Sequence, residues 1–188
     1  MTTQSAIARL QNLNIYLIGM MGSGKSTIGQ ILAKQIGYGF LDTDTSIERL
    51  TKQSIKEIFA AVGEEQFRSI ESQVLSEVSA HTKLVVATGG GIVIKQENWG
   101  SLRQGLVVWL DVAENVLWQR LVADTTRPLL LDPNPQAKLH EILASRRSRY
   151  GEADLKILIT QERSPADIAA EILQMIPTIL KSTEPPEQ

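Results

Sequence analysis

The chain has 188 residues, of which 43% are hydrophobic and 21% are charged, and this composition predicts one globular domain around a single core. Its 19 Lys and Arg against 21 Asp and Glu, with no run of like charges, argue against nucleic acid or an anionic membrane as the main partner. The absence of cysteine excludes disulfides, thiolate metal ligands and cysteine nucleophiles. No apolar stretch approaches the length of a membrane span, so we expect a soluble, cytoplasmic protein.

The first predicted unit is a strand, a glycine-rich loop and a helix. Residues 15–18 form a short apolar run, and from Lys25 onward apolar residues recur at helical spacing. The loop between them, residues 19–26, has the spacing glycine, four residues, glycine, lysine, serine. Glycines let successive N–H groups face phosphate oxygens, and the helix N-terminus adds positive potential. The sequence therefore predicts a phosphate-binding loop; an ordinary glycine turn would not require lysine and serine at these positions.

Four further apolar runs are predicted strands, and helical patterns alternate with them. The runs are 39–41, 84–87, 106–110 and 157–159. Ser54 with Glu57 fits a capping box, Ser164 followed by Pro165 is a typical helix start, and apolar spacing predicts an amphipathic helix over 64–80. This alternation predicts a three-layer α/β/α fold, in which helices cover both faces of a five-stranded parallel sheet.

One polar segment interrupts this alternation. Residues 124–134 contain two prolines and Arg127, and we expect a mobile lid at about 123–135. We expect a single domain over 1–176, followed by a disordered tail at 177–188.

Candidate site residues follow the second and third predicted strands, because ligands bind beyond the carboxyl ends of the strands in doubly wound folds. Asp42 and Asp44 follow the second strand, and three glycines, 89–91, follow the third. The spacing of the two carboxylates lets one face a metal ion and the other an acceptor hydroxyl. The alternative is that one of them only caps the next helix.

Five motifs, in this order, resemble the signatures of the shikimate kinase family, which has the P-loop NTPase fold. They are GMMGSGKST at 19–27, LDTD at 41–44, FRSIE at 67–71, TGGG at 88–91 and RPLL at 127–130. The resemblance covers nearly the whole chain. It implies ATP-dependent phosphorylation of the 3-hydroxyl of shikimate, a step of aromatic amino acid biosynthesis, by a monomer with Mg²⁺ as cofactor.

For the nucleotide, the loop motif and the resemblance together imply roles for the following residues. Lys25 would reach the outer phosphates, Ser26 and Asp42 would hold the metal, and Arg127 would close over the transferring phosphoryl group. Arg120 and Pro165 would sandwich adenine, although Pro165 is also explained as a helix start. The loop residues assigned to phosphate binding are Gly22, Ser23, Gly24, Lys25, Ser26 and Thr27.

For the acceptor, the resemblance implies that Asp44 binds the ring hydroxyls and helps to deprotonate the attacking one. Arg68 and Arg146 would bind the carboxylate, with Glu71 steadying Arg68. Gly89, Gly90 and Gly91 would lie against the ring. From the residues alone, Arg68 and Glu71 share a helix face and could form only a surface salt bridge.

Three alternatives stay open at this stage. Arg147 or Arg149 could take the place assigned to Arg146, which is chosen for its spacing to Tyr150. A sibling hydroxy-acid kinase, such as a gluconate kinase, shares the loop and a lid but not the FRSIE and TGGG motifs together. A GTP-dependent switch is disfavoured, because the sequence has no N-K-x-D motif.

Overall fold

The computed structural model describes residues 3–122 and 132–180. Arg127, the RPLL motif, most of the predicted lid and most of the predicted tail lie outside these residues. No helix in the two described ranges is long and apolar enough to cross a membrane.

Five parallel strands form one sheet in the order β2-β3-β1-β4-β5. They are β1 (Ile15–Ile18), β2 (Gly39–Asp42), β3 (Leu84–Ala87), β4 (Leu106–Val112) and β5 (Leu155–Ile159). Every residue of β1 and β4 is buried, whereas buried and exposed residues alternate along the edge strand β5. The predicted five-stranded parallel sheet is therefore confirmed.

Helices cover both faces of this sheet. They are α1 (Thr3–Leu10), α2 (Lys25–Ile36), α3 (Thr43–Thr51), α4 (Ile55–Ser79), α5 (Asn98–Leu102), α6 (Glu114–Val122), α7 (Pro135–Tyr150) and α8 (Pro165–Ile179). One apolar cluster joins the sheet to α1, α2, α6, α8 and, through Leu139, α7. A second joins it to α3, α4 and α5 and includes Tyr150 at the end of α7. The predicted α/β/α layers are confirmed.

The predicted helix starts are also confirmed. Ser54 and Glu57 make both hydrogen bonds of a capping box, and the Ser164 hydroxyl accepts from the N–H of Asp167. The helix predicted over 64–80 is the second part of α4, which begins earlier, at Ile55. The two parts meet at Gly63, whose φ of 79° and ψ of 174° leave helical geometry. Glycine adopts this positive φ without a steric cost.

Both ends of the described chain differ from the prediction. The helix α1, for which the sequence shows no cap signal, buries Ala6 and Leu10 against the core. At the other end α8 continues to Ile179, three residues beyond the domain boundary that the sequence predicts at 176. Pro177 lies inside α8, where it removes one backbone hydrogen bond near the helix end, and the packing of Ile176 against the core outweighs that loss.

Candidate active site

The phosphate loop joins β1 to α2 and folds around its own lysine. Gly19, Gly22 and Gly24 have positive φ values of 142°, 79° and 93°. The Nζ of Lys25 donates to the carbonyl oxygens of Gly19 and Met20, each at 2.9 Å. The N-terminus of α2 has no side-chain cap, so its first N–H groups are available to an anion. This backbone has the form that the motif predicts.

An open cleft of about 660 Å³ lies between this loop and the ends of β2 and β3. The structure thus brings together the loop, both aspartates and the glycine turn, which are far apart in sequence. The residues that line the cleft are Met21, Gly22, Gly24, Lys25, Ser26, Thr27, Asp42, Asp44, Thr88 and Gly90.

Asp42 performs two tasks with its two oxygens. Its Oδ1 caps α3 by accepting from the N–H groups of Asp44 at 3.0 Å and Thr45 at 3.2 Å. Its Oδ2 accepts from the Ser26 hydroxyl at 2.5 Å. The capping alternative therefore holds for Asp42, and it leaves one oxygen facing the phosphate loop.

The Ser26 and Asp42 oxygens fit a magnesium ion. Mg²⁺ prefers oxygen ligands and usually binds through one or two protein groups together with phosphates and water. Among the residues that the structure describes, no group of three or more His, Asp or Glu side chains could hold a metal ion by itself. A site of two oxygens beside a phosphate loop matches an ion that arrives with a nucleotide.

Asp44 lies one residue into α3 and faces the cleft. Its pKa is raised, first because burial disfavours the charged form and then because the carboxylate of Asp42 is close. The cations of Lys25 and Arg68 oppose this shift. A carboxylate with a raised pKa is a stronger proton acceptor than an ordinary aspartate, as a general base requires.

Arg68 and Glu71 form a buried ion pair rather than the surface salt bridge that sequence reasoning allowed. The Glu71 side chain is 1% exposed, and its Oε2 accepts from the Nη1 of Arg68. Burial raises the pKa of the Glu71 carboxyl, and the Arg68 cation counteracts part of this effect. The other side of the Arg68 guanidinium pairs with Glu64, which the sequence analysis did not single out. Glu64 stands four residues before Arg68, and this spacing on a helix could have predicted the ion pair.

The glycine turn after β3 lies against Asp44, Glu71 and Arg68. A Cβ on Gly89 would lie 2.8 Å from Asp44 Oδ1 and would also collide with Glu71, and a Cβ on Gly91 would collide with the Arg68 guanidinium. The N–H of Gly89 donates to the hydroxyl of Thr43 at 2.9 Å, a contact that the sequence did not reveal. Only hydrogen fits at these two positions, so the turn forms a flat wall of the site.

The structure separates two of the arginines of α7, Arg146 and Arg147. The Nη1 of Arg146 donates to the Gly90 carbonyl at 3.2 Å, beside the Tyr150 hydroxyl, which donates to the same oxygen at 2.6 Å. Arg147 instead pairs with Asp111 at 3.2 Å and lies over the Trp109 ring. Arg146 therefore lies next to the glycine turn and Arg147 does not.

Arg120 lies against the phosphate loop. Its Nε and Nη2 donate to the two carboxylate oxygens of Glu162 at 2.8 and 2.9 Å, and its Nη1 donates to the Gly22 carbonyl at 3.3 Å. Glu162 shortly precedes Pro165, which is exposed at the first position of α8. Arg120 and the segment before Pro165 thus meet at one end of the cleft.

Known proteins of one family match the chain over most of its length. A family model described as Shikimate kinase matches residues 21–177. A shikimate kinase from a Nostoc species is 56% identical over 174 residues, which cover 93% of this chain and 96% of the relative. The chain belongs to the shikimate kinase family.

Solved structures agree with this membership of the shikimate kinase family. Shikimate kinase from Acinetobacter baumannii, in complex with shikimate, has a TM-score of 0.86 and 40% identity, covering 92% of this chain and 97% of that one. A gluconokinase from Sinorhizobium meliloti has a TM-score of 0.56 at 19% identity, covering 90% of this chain and 94% of that one. The second likeness is one of fold alone, and the predicted P-loop kinase fold is confirmed.

Proposed function

We propose that this member of the shikimate kinase family transfers the terminal phosphoryl group of ATP to the 3-hydroxyl of shikimate, giving shikimate 3-phosphate and ADP. The observation that carries the proposal is the placement of Asp44 and the Arg68–Glu71 pair in reach of the phosphate loop. A proton acceptor and a carboxylate-binding cation on the acceptor side match a hydroxy acid.

At the nucleotide end, the loop residues bind the phosphates through backbone N–H groups. Lys25, which pairs with loop carbonyls, would turn its Nζ to the outer phosphates and stabilise the charge that moves during transfer. Ser26 and Asp42 would hold Mg²⁺, which neutralises phosphate charge when bound. Arg120 and Pro165 would enclose the base, and Arg127 is proposed to cover the phosphoryl group.

At the acceptor end, Asp44 accepts the proton of the 3-hydroxyl as the oxygen attacks phosphorus and ADP leaves. Arg68 and Arg146 bind the substrate carboxylate, and Glu71 fixes the Arg68 side chain. The wall of Gly89, Gly90 and Gly91 lies against the ring, and a side chain on Gly89 or Gly91 would displace Asp44, Glu71 or Arg68.

The proposal includes a monomer that works in the cytoplasm with Mg²⁺. A monomer is supported by one cleft, in which the phosphate loop, Asp42 and Asp44 of the same chain meet. Sedimentation of the purified chain with both substrates measures its oligomeric state.

A coupled ADP-release assay with shikimate, quinate and gluconate tests the substrate. We expect Mg²⁺-dependent turnover with shikimate, little with the other two acids, and loss of most of it in Lys25→Ala. Equal turnover with gluconate would favour the sibling hydroxy-acid kinase instead.

A further inference from the structure

The guanidinium of Arg68 is enclosed on most sides. The rings of Phe59 and Phe67 lie 5.7 and 5.3 Å from its central carbon, and Gly91 lies against the guanidinium. The buried Glu71 takes its Nη1, and the whole side chain is only 12% exposed. The side formed by Nε and Nη2 is therefore the one whose partner can be exchanged.

Glu64 occupies this side. Its Oε1 accepts from Arg68 Nε at 3.3 Å and from Nη2 at 3.0 Å, and its side chain is 63% exposed. Glu64 directly follows Gly63, where α4 leaves helical geometry. An exposed ion pair of this kind is weak, because water competes for both charges. Arg68 thus has one permanent carboxylate partner, Glu71, and one that is easily displaced.

We propose that Glu64 is an internal competitor that occupies the substrate-carboxylate side of Arg68 until shikimate displaces it. Carboxylates bind guanidinium groups best through two parallel N–H groups, and the Nε–Nη2 side offers such a pair. This inference rests on the proposed role of Arg68 in substrate binding. Glu64 touches no reacting atom, so it sets affinity and specificity and leaves the chemical step alone.

Such a competitor has a physical use in the empty site. The Arg68 side chain is only 12% exposed, so its guanidinium is poorly hydrated, and Glu64 completes its pairing when no substrate is present. A small anion must then compete with Glu64 for Arg68, whereas shikimate also gains contacts with Arg146 and Asp44. The competition lowers the apparent affinity for shikimate, because only the fraction of protein with a free Arg68 side can bind it.

The test is Glu64→Gln beside Glu65→Gln. Gln has nearly the shape of Glu without its charge, and Glu65 is an exposed neighbour whose side chain has no ion pair in the described structure. Shikimate and ATP are titrated separately by calorimetry, and kcat and KM are measured for both. We expect Glu64→Gln to lower the Kd of shikimate by about two- to fivefold, with kcat and ATP binding unchanged. Glu65→Gln should match the unaltered chain.

Two outcomes would overturn the inference. A higher Kd in Glu64→Gln would mean that Glu64 holds Arg68 in position for the substrate, and a change no larger than that of Glu65→Gln would mean that the pair is indifferent to binding. Arg68→Ala separates this inference from the proposed function. If Arg68→Ala abolishes shikimate binding while Glu64→Gln does not tighten it, only the inference fails. If Arg68→Ala leaves binding intact, the carboxylate site itself is wrong.

Discussion

At the scale of single residues, Asp44 combines a position on the cleft with an environment that favours the protonated form. Burial and the nearby Asp42 raise its pKa, and Lys25 and Arg68 limit the rise. A base must be ionised to work, so kcat should fall on the acid side at a higher pH than for an ordinary aspartate.

Asp44→Asn should lower kcat by about 10²- to 10⁴-fold, because the amide cannot accept the hydroxyl proton. ATP binding should change little, since Asp44 lies on the acceptor side. Single-turnover kinetics and ATP titration of the variant check both parts. An unchanged turnover number would show that Asp44 takes no part in proton transfer and only belongs to the first turn of α3.

The sequence alone did not decide the role of the two oxygens of Asp42. The pattern permitted either a helix cap or a metal ligand, and the structure uses Oδ1 for the cap and turns Oδ2 toward Ser26. Motif spacing predicts which residue stands at the strand end. The direction of each oxygen depends on the tertiary structure, which brings the first turn of α2 beside the end of β2.

At the scale of elements, α7 determines which arginine reaches the site. Trp109 stacks on Tyr150 at 5.8 Å, and Asp111 pairs with Arg147 and with Lys156. These contacts fix the rotation of the helix about its axis, and they turn Arg146 toward Gly90.

Arg146→Ala should weaken shikimate binding by at least about tenfold, the value of a charged hydrogen bond of roughly 1.5 kcal/mol or more. Arg147→Ala, one position along the same helix, is the matched control and should leave shikimate affinity close to that of the parent chain. Calorimetric titration of both variants measures the difference. A larger loss in Arg147→Ala would move the carboxylate site to the other face of α7.

Some helices are predictable from local sequence patterns, whereas others depend on tertiary packing. The cap signals at Ser54 and Ser164 predicted helix starts correctly, because capping is a local interaction. The helix α1 has no such signal, and Arg9 donates to the Leu180 carbonyl at 3.2 Å across the whole length of the chain. Its existence depends on α8 being present to pack against.

At the scale of the whole molecule, the buried carboxyl of Asp44 should lower the stability of the folded protein. The folded-state pKa of Asp44 is raised above its unfolded value, so its favourable contribution is complete below the unfolded pKa and is lost as pH rises through the folded pKa. Neutral pH lies above the unfolded pKa, so this carboxyl there contributes less stability to the ligand-free protein than it does in acid.

Asp44→Asn should accordingly raise Tm at pH 7 while it removes activity, a trade of stability against function. The gain should shrink as the pH approaches that at which an unfolded aspartate is protonated. Calorimetric melting of both proteins across this pH range measures it. A lower Tm for the variant at pH 7 would show that hydrogen bonds to the carboxylate outweigh its burial.

The sequence by itself determined the strands, the capped helices and the phosphate loop, because each depends on neighbours along the chain. The order of five motifs also predicted the family, and the residues that line the cleft all belong to three of these motifs. Tertiary structure decided that Arg146 contacts the glycine turn while Arg147 pairs with Asp111, that Arg68 pairs with Glu64 and Glu71, and that the pKa of Asp44 is raised. These features depend on helix rotation, burial and charges that distant segments bring together, and no local pattern encodes those distances.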